Sequence, residues 1–339
     1  MSSRDAFRLL IVTPSMAAAN NGNWRTAARW AHLLAPHCRV IVQAADAPLP
    51  ARADALVALH ARRSRPAVTA WRAERGGAPL VVVLTGTDLY RDLAEGDRDA
   101  LASVRDADRL VVLQGDAVRH VPKERRAYTH VVHQSARMLA PWPRKSTRRF
   151  NCVFVAHLRA EKDPATVFEA WHSLPRDAEI TLTVIGAALD PALGEAARAL
   201  AAREPRVRWL GMRPHAWTRQ AIKRAHALIC ASRMEGGANV VVEAVTAGTP
   251  VIASRVSGNI GMLGEDYAGY FEVGDARALA DLLVRAARSA SFRAALQTQC
   301  ASRAPMFGAE AEREALLAVL ERAGARAVRA DRAQARAAA

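Results

Sequence analysis

Short apolar runs alternate with longer amphipathic segments along the first part of the chain. Such runs are typical of buried strands, whereas apolar positions about three to four residues apart are typical of helices. This pattern predicts helices at 23–34 and 64–75 and strands at 8–13, 39–43, 55–60, 80–85, 109–114 and 129–133. Strands and helices in alternation predict a parallel sheet with helices on both faces.

Two prolines and a basic run, from Pro141 to Arg149, interrupt the alternation and predict a linker. It then restarts, with helices predicted at 164–174 and 191–203 and strands at 150–156, 180–186, 207–211, 227–231 and 251–253. We predict an α/β fold of two doubly wound domains, 1–143 and 144–308, with a ligand cleft between them. Segment 309–325 should form a helix that packs back toward the first domain, and 326–339 should fray.

The composition is that of a globular protein. The chain has 339 residues, of which 51% are apolar and 24% charged, enough for two domains with their own cores. No signal-peptide pattern precedes the first predicted strand and no apolar stretch suits a membrane span, so a cytoplasmic protein without stable membrane association is expected. The cysteines are widely separated and lack ligand spacing, which indicates buried reduced thiols and no metal site: Cys38, Cys152, Cys230 and Cys300.

The net charge of +15 raises the alternative of a nucleic-acid-binding protein. Only four of the 48 basic residues are lysines, and the arginines are scattered, many of them on helices that also carry Asp or Glu. They form no basic stripe interleaved with aromatic residues. We therefore expect no nucleic-acid partner, and expect the positive field to attract small polyanions such as UDP-sugars or phosphates.

Two carboxylates, Glu235 and Glu243, flank a glycine pair in the second predicted domain. The pattern predicts a loop after a strand, a helix opened by the glycines, a stop at Gly248 and a further strand. Backbone N–H groups at a glycine-rich helix start can approach a phosphate, while the carboxylates, about 12 Å apart if the span is helical, could each hold hydroxyl groups. The amides in question are those of Gly236, Gly237, Ala238, Asn239 and Val240. The alternative is one solvated and one structural carboxylate on a core helix.

Three other segments fall at predicted strand-to-helix turns, where a doubly wound fold binds its ligands. They contain Arg159 with Lys162, Gly22 with Asn23, and Ser257 with Gly258. The two cations would straddle a diphosphate, and the other residues could offer backbone donors to an anion. Ordinary loops with solvated charges are the alternative.

In order and spacing, these four segments resemble the GT-B retaining glycosyltransferases with a Glu-x7-Glu motif, which have two Rossmann-like domains. The resemblance implies transfer from a UDP-sugar without metal or other cofactor. It implies that Arg159 and Lys162 neutralise the leaving UDP, that Glu235 orients the sugar, and that Glu243 holds the ribose. Catalysis would then rest on positioning and on stabilisation of the leaving charge.

Residues 56–64 and 84–90 resemble a narrower group, the selenosugar synthases of selenoneine biosynthesis. That resemblance implies a C–Se bond between selenophosphate and UDP-N-acetylglucosamine, with release of UDP and phosphate. A small, highly charged acceptor calls for arginine and amide donors, which these residues could supply opposite Gly22 and Asn23: Arg62, Arg63, Thr85, Gly86 and Thr87. His60 and Asp88 could orient the phosphate or a water molecule.

Several alternatives stay open at this stage. His60, His133 and Asp88 are equivalent candidates for a general base, and an already ionised selenium nucleophile needs none. Arg62 and Arg63 also fit a solvated helix start, and His60 fits a structural histidine. A conventional glycosyltransferase would use the same donor residues with a sugar, lipid or small-thiol acceptor.

Overall fold

The computed structural model describes residues 7–16, 22–175 and 177–325. The chain divides into two compact units, Met1–Gln134 together with Ala309–Ala339, and Ser135–Gly308. The tail predicted at 326–339 lies outside the described residues. Within the described part of the chain, no helix combines the length and apolar character needed to cross a membrane.

The first unit contains a parallel six-stranded sheet in the order β2-β1-β3-β4-β5-β6. The strands are β1 (Arg8–Thr13), β2 (Arg39–Ala44), β3 (Ala55–Leu59), β4 (Leu80–Leu84), β5 (Arg109–Val112) and β6 (Thr129–Val131). The helices are α1 (Gly22–Leu34), α2 (Arg65–Arg75) and α3 (Arg98–Asp106). Every strand predicted for this region is present, with its ends within two residues of the prediction.

The sheet of the first unit is buried on both faces because its strands are apolar at consecutive positions. Leu9 and Ile11 of β1 belong to one core cluster, and Leu10 and Val12 belong to another. Successive side chains of a strand point to opposite faces, so the two clusters lie on the two sides of the sheet. The continuous apolar runs in the sequence therefore encode this double burial.

The second unit repeats the architecture with the strand order β12-β11-β10-β7-β8-β9, again parallel throughout. Its strands are β7 (Phe150–Val155), β8 (Ile180–Ile185), β9 (Val207–Trp209), β10 (Ala227–Cys230), β11 (Val251–Ser254) and β12 (Tyr270–Phe271). Its helices are α4 (Pro164–Ser173), α5 (Pro191–Arg203), α6 (His215–Arg224), α7 (Asn239–Val245), α8 (Ser257–Leu263), α9 (Ala276–Arg288) and α10 (Ala290–Arg303). The prediction of two doubly wound, Rossmann-like sheets is confirmed.

The last described helix, α11 (Ala309–Arg322), belongs to the first unit. Its Leu316 and Leu317 lie in the same core cluster as Leu9 of β1. The buried carboxylate of Glu312 accepts a hydrogen bond from Trp30 Nε1 at 2.7 Å and one from Arg29 Nε at 3.0 Å. A buried charge is tolerated when it is paired and hydrogen-bonded, as this carboxylate is.

The boundary between the units differs from the prediction. The observed boundary lies between Gln134 and Ser135, whereas the predicted boundary lay after residue 143. The backbone of this segment is bonded to the second unit, because Ala136 N donates to Phe307 O at 3.2 Å and Leu139 N donates to Thr246 O at 2.8 Å. The prolines and charges that follow mark irregular backbone that is already part of the second unit.

All four cysteines are buried and unbonded to one another, as expected from their spacing. Burial raises the pKa of the Cys230 thiol to about 11, which keeps it protonated at neutral pH. Among the described residues, no group of three or more His, Cys, Asp or Glu side chains is arranged to hold a metal ion.

Replacement of Gly186 by alanine should destabilise the second unit. Gly186 follows β8 with φ of +150°, and a Cβ atom there would lie 1.8 Å from the carbonyl oxygen of Ala156. We expect Gly186→Ala to lower the free energy of unfolding by about 3 kcal/mol, since backbone must move on both sides of the contact. Urea denaturation followed by circular dichroism measures the change.

Gly308→Ala is the matched control for that substitution. Gly308 has φ of −80°, and the nearest atom to a Cβ would be Pro305 O at an ordinary 3.5 Å. Its unfolding midpoint should stay close to that of the wild type. Equal midpoints for Gly186→Ala and Gly308→Ala would contradict the close-approach argument.

Candidate functional site

The loop between β10 and α7 carries the first of the two predicted carboxylates. The prediction that the glycine pair opens a helix is wrong, because α7 begins at Asn239 and Glu235 lies in the preceding loop. Residue 238 is extended, with φ of −72° and ψ of 101°, and thus stands before the helix. Glycine lowers helix stability, which explains why the helix starts after the pair. The helical span assumed between Glu235 and Glu243 therefore does not exist.

Glu235 is held by two donors at a single carboxylate oxygen. Lys162 Nζ and Ser232 Oγ each lie 2.5 Å from Glu235 Oε1. Glu235 is buried, and Lys162 follows β7 at the end of a short 3-10 turn, so two loops from neighbouring strands meet here. Charge-assisted hydrogen bonds of this kind are short and strong, and they fix the orientation of the carboxylate.

Ser232 was not predicted from the sequence. It lies three residues before Glu235, directly after the apolar run of β10, and is itself buried. The change from apolar to polar residues at a strand end was the available signal. Its main-chain oxygen accepts a hydrogen bond from Ser254 Oγ at 2.5 Å, so the end of β11 also supports the loop.

Gly258 packs against Glu235. A Cβ atom on Gly258 would lie 2.1 Å from Glu235 O, which makes glycine necessary for this approach. The start of α8 thereby abuts the loop that carries the carboxylate. Ser257 and Gly258 stay predicted as backbone donors to a ligand, and the structure adds that Gly258 is needed for close packing on Glu235.

Glu243 lies within α7 and is engaged by α6 at two atoms. His215 Nε2 is 2.7 Å from Glu243 Oε1, and Arg219 Nη1 donates to the main-chain oxygen of Glu243. Arg219 is buried, and it also donates to Thr246 Oγ1 and to the main-chain oxygen of Arg137. Burial lowers the pKa of Arg219, an effect that the nearby Glu243 charge opposes.

Neither α6 partner of Glu243 was predicted from the sequence. His215 and Arg219 are four residues apart on one helix face, a spacing that the sequence displays but that alone indicates no partner. Only the packing of α6 on α7 brings them to the carboxylate.

Arg159 and Lys162 have different surroundings, although both were predicted to bind the same diphosphate. Arg159 is exposed, and its Nε lies 3.9 Å from Glu161 Oε2, which is a long and weak contact. Lys162, by contrast, is committed to Glu235. The structure thus brings Lys162 and Glu235 together and leaves Arg159 at the surface of the same turn.

In the first unit, Asp88 is a fully buried carboxylate that organises two turns. Its Oδ1 accepts from Thr85 N at 2.8 Å and from Gly86 N at 2.9 Å, and its Oδ2 accepts from Ala61 N at 2.9 Å. The amides of Thr85 and Gly86, predicted as donors to an anion, are therefore already used. A carboxylate occupied in this way and closed to solvent holds the two turns in place.

His60 ends β3 in a left-handed conformation, with φ of +73°. Its Nε2 lies 3.0 Å from Thr87 Oγ1, and its Nδ1 accepts from Arg63 N at 3.3 Å, which assigns the ring proton to Nε2. Desolvation lowers the pKa of His60, while the charge of Asp88 opposes that shift. A buried non-glycine residue at positive φ is strained, and such strain concentrates at functional sites.

The two neighbouring arginines differ in their ion pairs. Arg62 is half-exposed and pairs with Asp97 at 3.2 Å and with Asp92 at 3.5 Å. Arg63 is exposed and has no ion pair within the part of the chain that the structure describes. Among the residues predicted to bind the acceptor, Arg63 and Thr87 are therefore those at which an anion would compete least with existing ion pairs and hydrogen bonds.

Gly22 is the first residue of α1, and Asn23 follows it, as the sequence predicted. The main-chain oxygen of Gly22 accepts a hydrogen bond from Thr26 Oγ1 at 2.9 Å. Residues 17–21, which complete the predicted loop, lie outside the described residues.

Residues 142–303 match the family model described as glycosyl transferases group 1. This range covers the two loops that carry Lys162 and Glu235 and the helix α7 that carries Glu243.

Three solved structures with this fold are similar to the chain. Anabaena HepE in complex with UDP and glucose is 16% identical, with a TM-score of 0.71 over 93% of this chain and 99% of that one. Sucrose-phosphate synthase from Thermosynechococcus elongatus is 16% identical, with a TM-score of 0.75 over 94% of this chain and 99% of that one. The pneumococcal O-GlcNAc transferase GtfA in complex with UDP and GlcNAc is 18% identical, with a TM-score of 0.62 over 79% and 57%.

His60 should make stability depend on pH. Its folded pKa lies below the value of about 6.5 in an unfolded chain, so below that pH the unfolded chain binds more protons and the free energy of unfolding falls. His120, His130 and His226 have lowered pKa values as well and share in this slope. We expect His60→Gln to make the slope shallower.

Urea titrations of both proteins at pH 7.5 and pH 5.5 measure the effect. The readout is the difference between the two pH values within each protein, so any cost of the substitution at neutral pH cancels. An unchanged difference would mean that His60 is not the buried neutral group described above.

Proposed function

We propose that this chain, a glycosyltransferase of the GT-B fold with the group 1 family sequence at residues 142–303, synthesises a selenosugar. A selenium lone pair of selenophosphate forms a bond to the anomeric carbon of UDP-N-acetylglucosamine. The bond from that carbon to the UDP oxygen breaks, and its electron pair leaves with UDP. Water then cleaves the P–Se bond, which releases phosphate and leaves the selenium on the sugar without any oxidant or reductant.

The arrangement around Glu235 is the observation that carries the donor half of this proposal. Two buried carboxylates, Glu235 and Glu243, are each held at Oε1 by a basic residue. Carboxylates are strong acceptors for sugar and ribose hydroxyls, and a nearby ammonium suits a diphosphate. HepE has been solved with UDP-glucose and GtfA with UDP and GlcNAc, which supports a UDP-sugar donor, and we propose that this sugar is N-acetylglucosamine.

Stabilisation of the leaving group supplies most of the rate acceleration in this proposal. Lys162 already lies beside Glu235, so its ammonium can turn toward the β-phosphate when the sugar hydroxyls take its place on the carboxylate. Arg159 is free to reorient because its contact with Glu161 is long and exposed. Cations aimed at the charge that develops on UDP lower the barrier without a proton transfer.

The proposed acceptor region of the first unit consists of the two turns that follow β3 and β4, which contain His60, Arg63 and Thr87. The His60 ring links the two turns, since its Nδ1 accepts from Arg63 N and its Nε2 contacts Thr87 Oγ1. An exposed guanidinium and a hydroxyl are a donor set suited to a small oxyanion. Arg62 contributes less, since two aspartates already offset its charge. Asp88 is fully engaged and His60 is held neutral, which agrees with an ionised selenium nucleophile that requires no general base.

Incubation of the purified protein with UDP-N-acetylglucosamine and selenophosphate tests the reaction directly. We expect stoichiometric release of UDP and phosphate, and a product whose mass corresponds to a selenium-bearing N-acetylglucosamine. Lys162→Ala, which removes the cation nearest Glu235, should lower the rate at saturating donor by about tenfold or more, since charged hydrogen bonds are worth about 1.5–3 kcal/mol. Turnover with sugar, lipid or thiol acceptors and none with selenophosphate would establish the conventional glycosyltransferase instead.

Two substitutions should separate the donor region from the acceptor region. Glu243→Gln should weaken UDP binding by about tenfold, because it removes the charged acceptor proposed for the ribose. Arg63→Ser should leave the UDP dissociation constant unchanged and raise the KM for selenophosphate by a similar factor. Calorimetry with UDP and initial rates at varied selenophosphate measure these effects.

The neighbouring Arg62→Ser is the matched control, since it removes the same charge from a side chain that is already paired. Its effect on the selenophosphate KM should be clearly smaller than that of Arg63→Ser. Equal damage to UDP affinity by Glu243→Gln and Arg63→Ser would overturn the division of roles.

A further inference from the structure

A basic cavity of about 480 Å³ lies in the second unit, away from the loops described above. It includes Phe150 and Ile180, the first residues of β7 and β8, and therefore lies at the amino ends of these strands. Lys162 and Glu235 follow the carboxyl ends of β7 and β10, which are at the opposite edge of the same parallel sheet. The cavity is thus distinct from the proposed donor site.

Positive charge predominates in the lining. The ionised side chains are those of four arginines and two acids: Arg148, Arg149, Arg288, Arg293, Asp177 and Glu179. Both members of each pair between them are exposed, with Arg149 Nε 3.3 Å from Glu179 Oε2 and Arg288 Nη2 3.5 Å from Asp177 Oδ2. Exposed pairs of this kind contribute little and are readily exchanged for another anion.

Two of the arginines can serve an anion without breaking an acidic pair. Arg148 has no ion pair among the residues that the structure describes. Arg293 Nη1 donates to the main-chain oxygens of Ala286 and Ala287 at 2.8 and 3.0 Å, near the end of α9. These bonds fix its guanidinium in place but leave its charge without a carboxylate.

The uncharged part of the lining combines apolar residues with the ring of His226. His226 Nδ1 accepts from Asn151 N at 2.9 Å, its Nε2 lies 2.9 Å from Ser146 O, and its ring stacks on Phe150. Desolvation lowers the pKa of His226, and the positive charges of Lys145 and Arg293 lower it further, so the ring is neutral at pH 7. His226 therefore anchors the segment at Ser146 and adds no charge of its own.

Lys145, which directly precedes Ser146, lies outside the cavity lining but adds a positive charge near His226. Its ammonium is shielded from solvent and has no hydrogen-bond partner among the described residues. Burial lowers its pKa to about 8, so it is still mostly charged at pH 7. An ammonium that is buried without an acceptor is costly, and an oxyanion nearby would offset that cost.

We propose that this cavity binds a small phosphoryl anion, either inorganic or at the end of a nucleotide. Guanidinium groups donate paired hydrogen bonds that match phosphate oxygens. The cavity volume lies within the range of small-molecule sites and exceeds what a single phosphate fills. This site does not depend on the proposed reaction, since none of its residues belongs to the donor or acceptor regions.

Calorimetric titration of the full chain with inorganic pyrophosphate at low ionic strength tests the site. We expect saturable binding that weakens by about tenfold in Arg148→Ser, because this substitution removes a charged donor, and by less in Arg288→Ser, because Arg288 is already paired with Asp177. Arg277→Ser removes an exposed arginine from the same helix, α9, outside the cavity lining, and should leave binding unchanged. Lys162→Ala should also retain it, which separates this site from the donor site.

Competition with UMP distinguishes the two sources of the phosphoryl group. Displacement of pyrophosphate by UMP at similar concentrations supports a nucleotide ligand, and failure of UMP to compete supports an inorganic one. The proposal is overturned if the wild type shows no saturable binding, if Arg277→Ser weakens it as much as Arg148→Ser, or if Lys162→Ala alone removes it. Loss of glycosyl transfer in a separate assay has no bearing on these outcomes.

Discussion

The contact between Lys162 and Glu235 depends on the parallel pairing of β7 with β10. Two strands whose last residues are far apart in sequence end at the same edge of one sheet, and the loops that follow them share one small space. Glu235 is buried there, so its charge requires a partner, and Lys162 and Ser232 supply two hydrogen bonds. The pairing of the strands therefore sets the position of the Glu235 carboxylate, and the hydrogen bonds within the loops set its orientation.

Much of the fold could be predicted because buried parallel strands are continuous apolar runs. The bounds predicted for α5 and for β1 coincide with those observed. Helices α9 and α10 were not predicted, although they are among the longest in the second unit and α9 has buried positions at helical spacing, such as Leu279, Ala280 and Leu283. Strand β12 has two residues, too few for any periodicity.

The candidate site was predictable only where a residue's chemistry could be inferred from its own segment. Lys162 and Glu235 stood out as charges after strands, but the bond between them required knowledge of strand order. The amides of Thr85 and Gly86 were assigned to a ligand because the sequence does not disclose that Asp88 turns back to accept them. Local pattern reveals which groups are present, whereas tertiary packing decides which of them are already satisfied.

Arg219 has a mechanical consequence. The buried guanidinium of Arg219 donates to the main-chain oxygens of both Arg137 and Glu243. Because this group is planar and rigid, it fixes the position of α7 relative to the backbone of residues 135–139. If α7 moved without residues 135–139, the buried Arg219 guanidinium would lose a hydrogen-bond acceptor. The free-energy cost of that loss is about 1–3 kcal/mol or more. A movement of α7, the helix that bears Glu243, is therefore coupled through Arg219 to the first residues of the second unit.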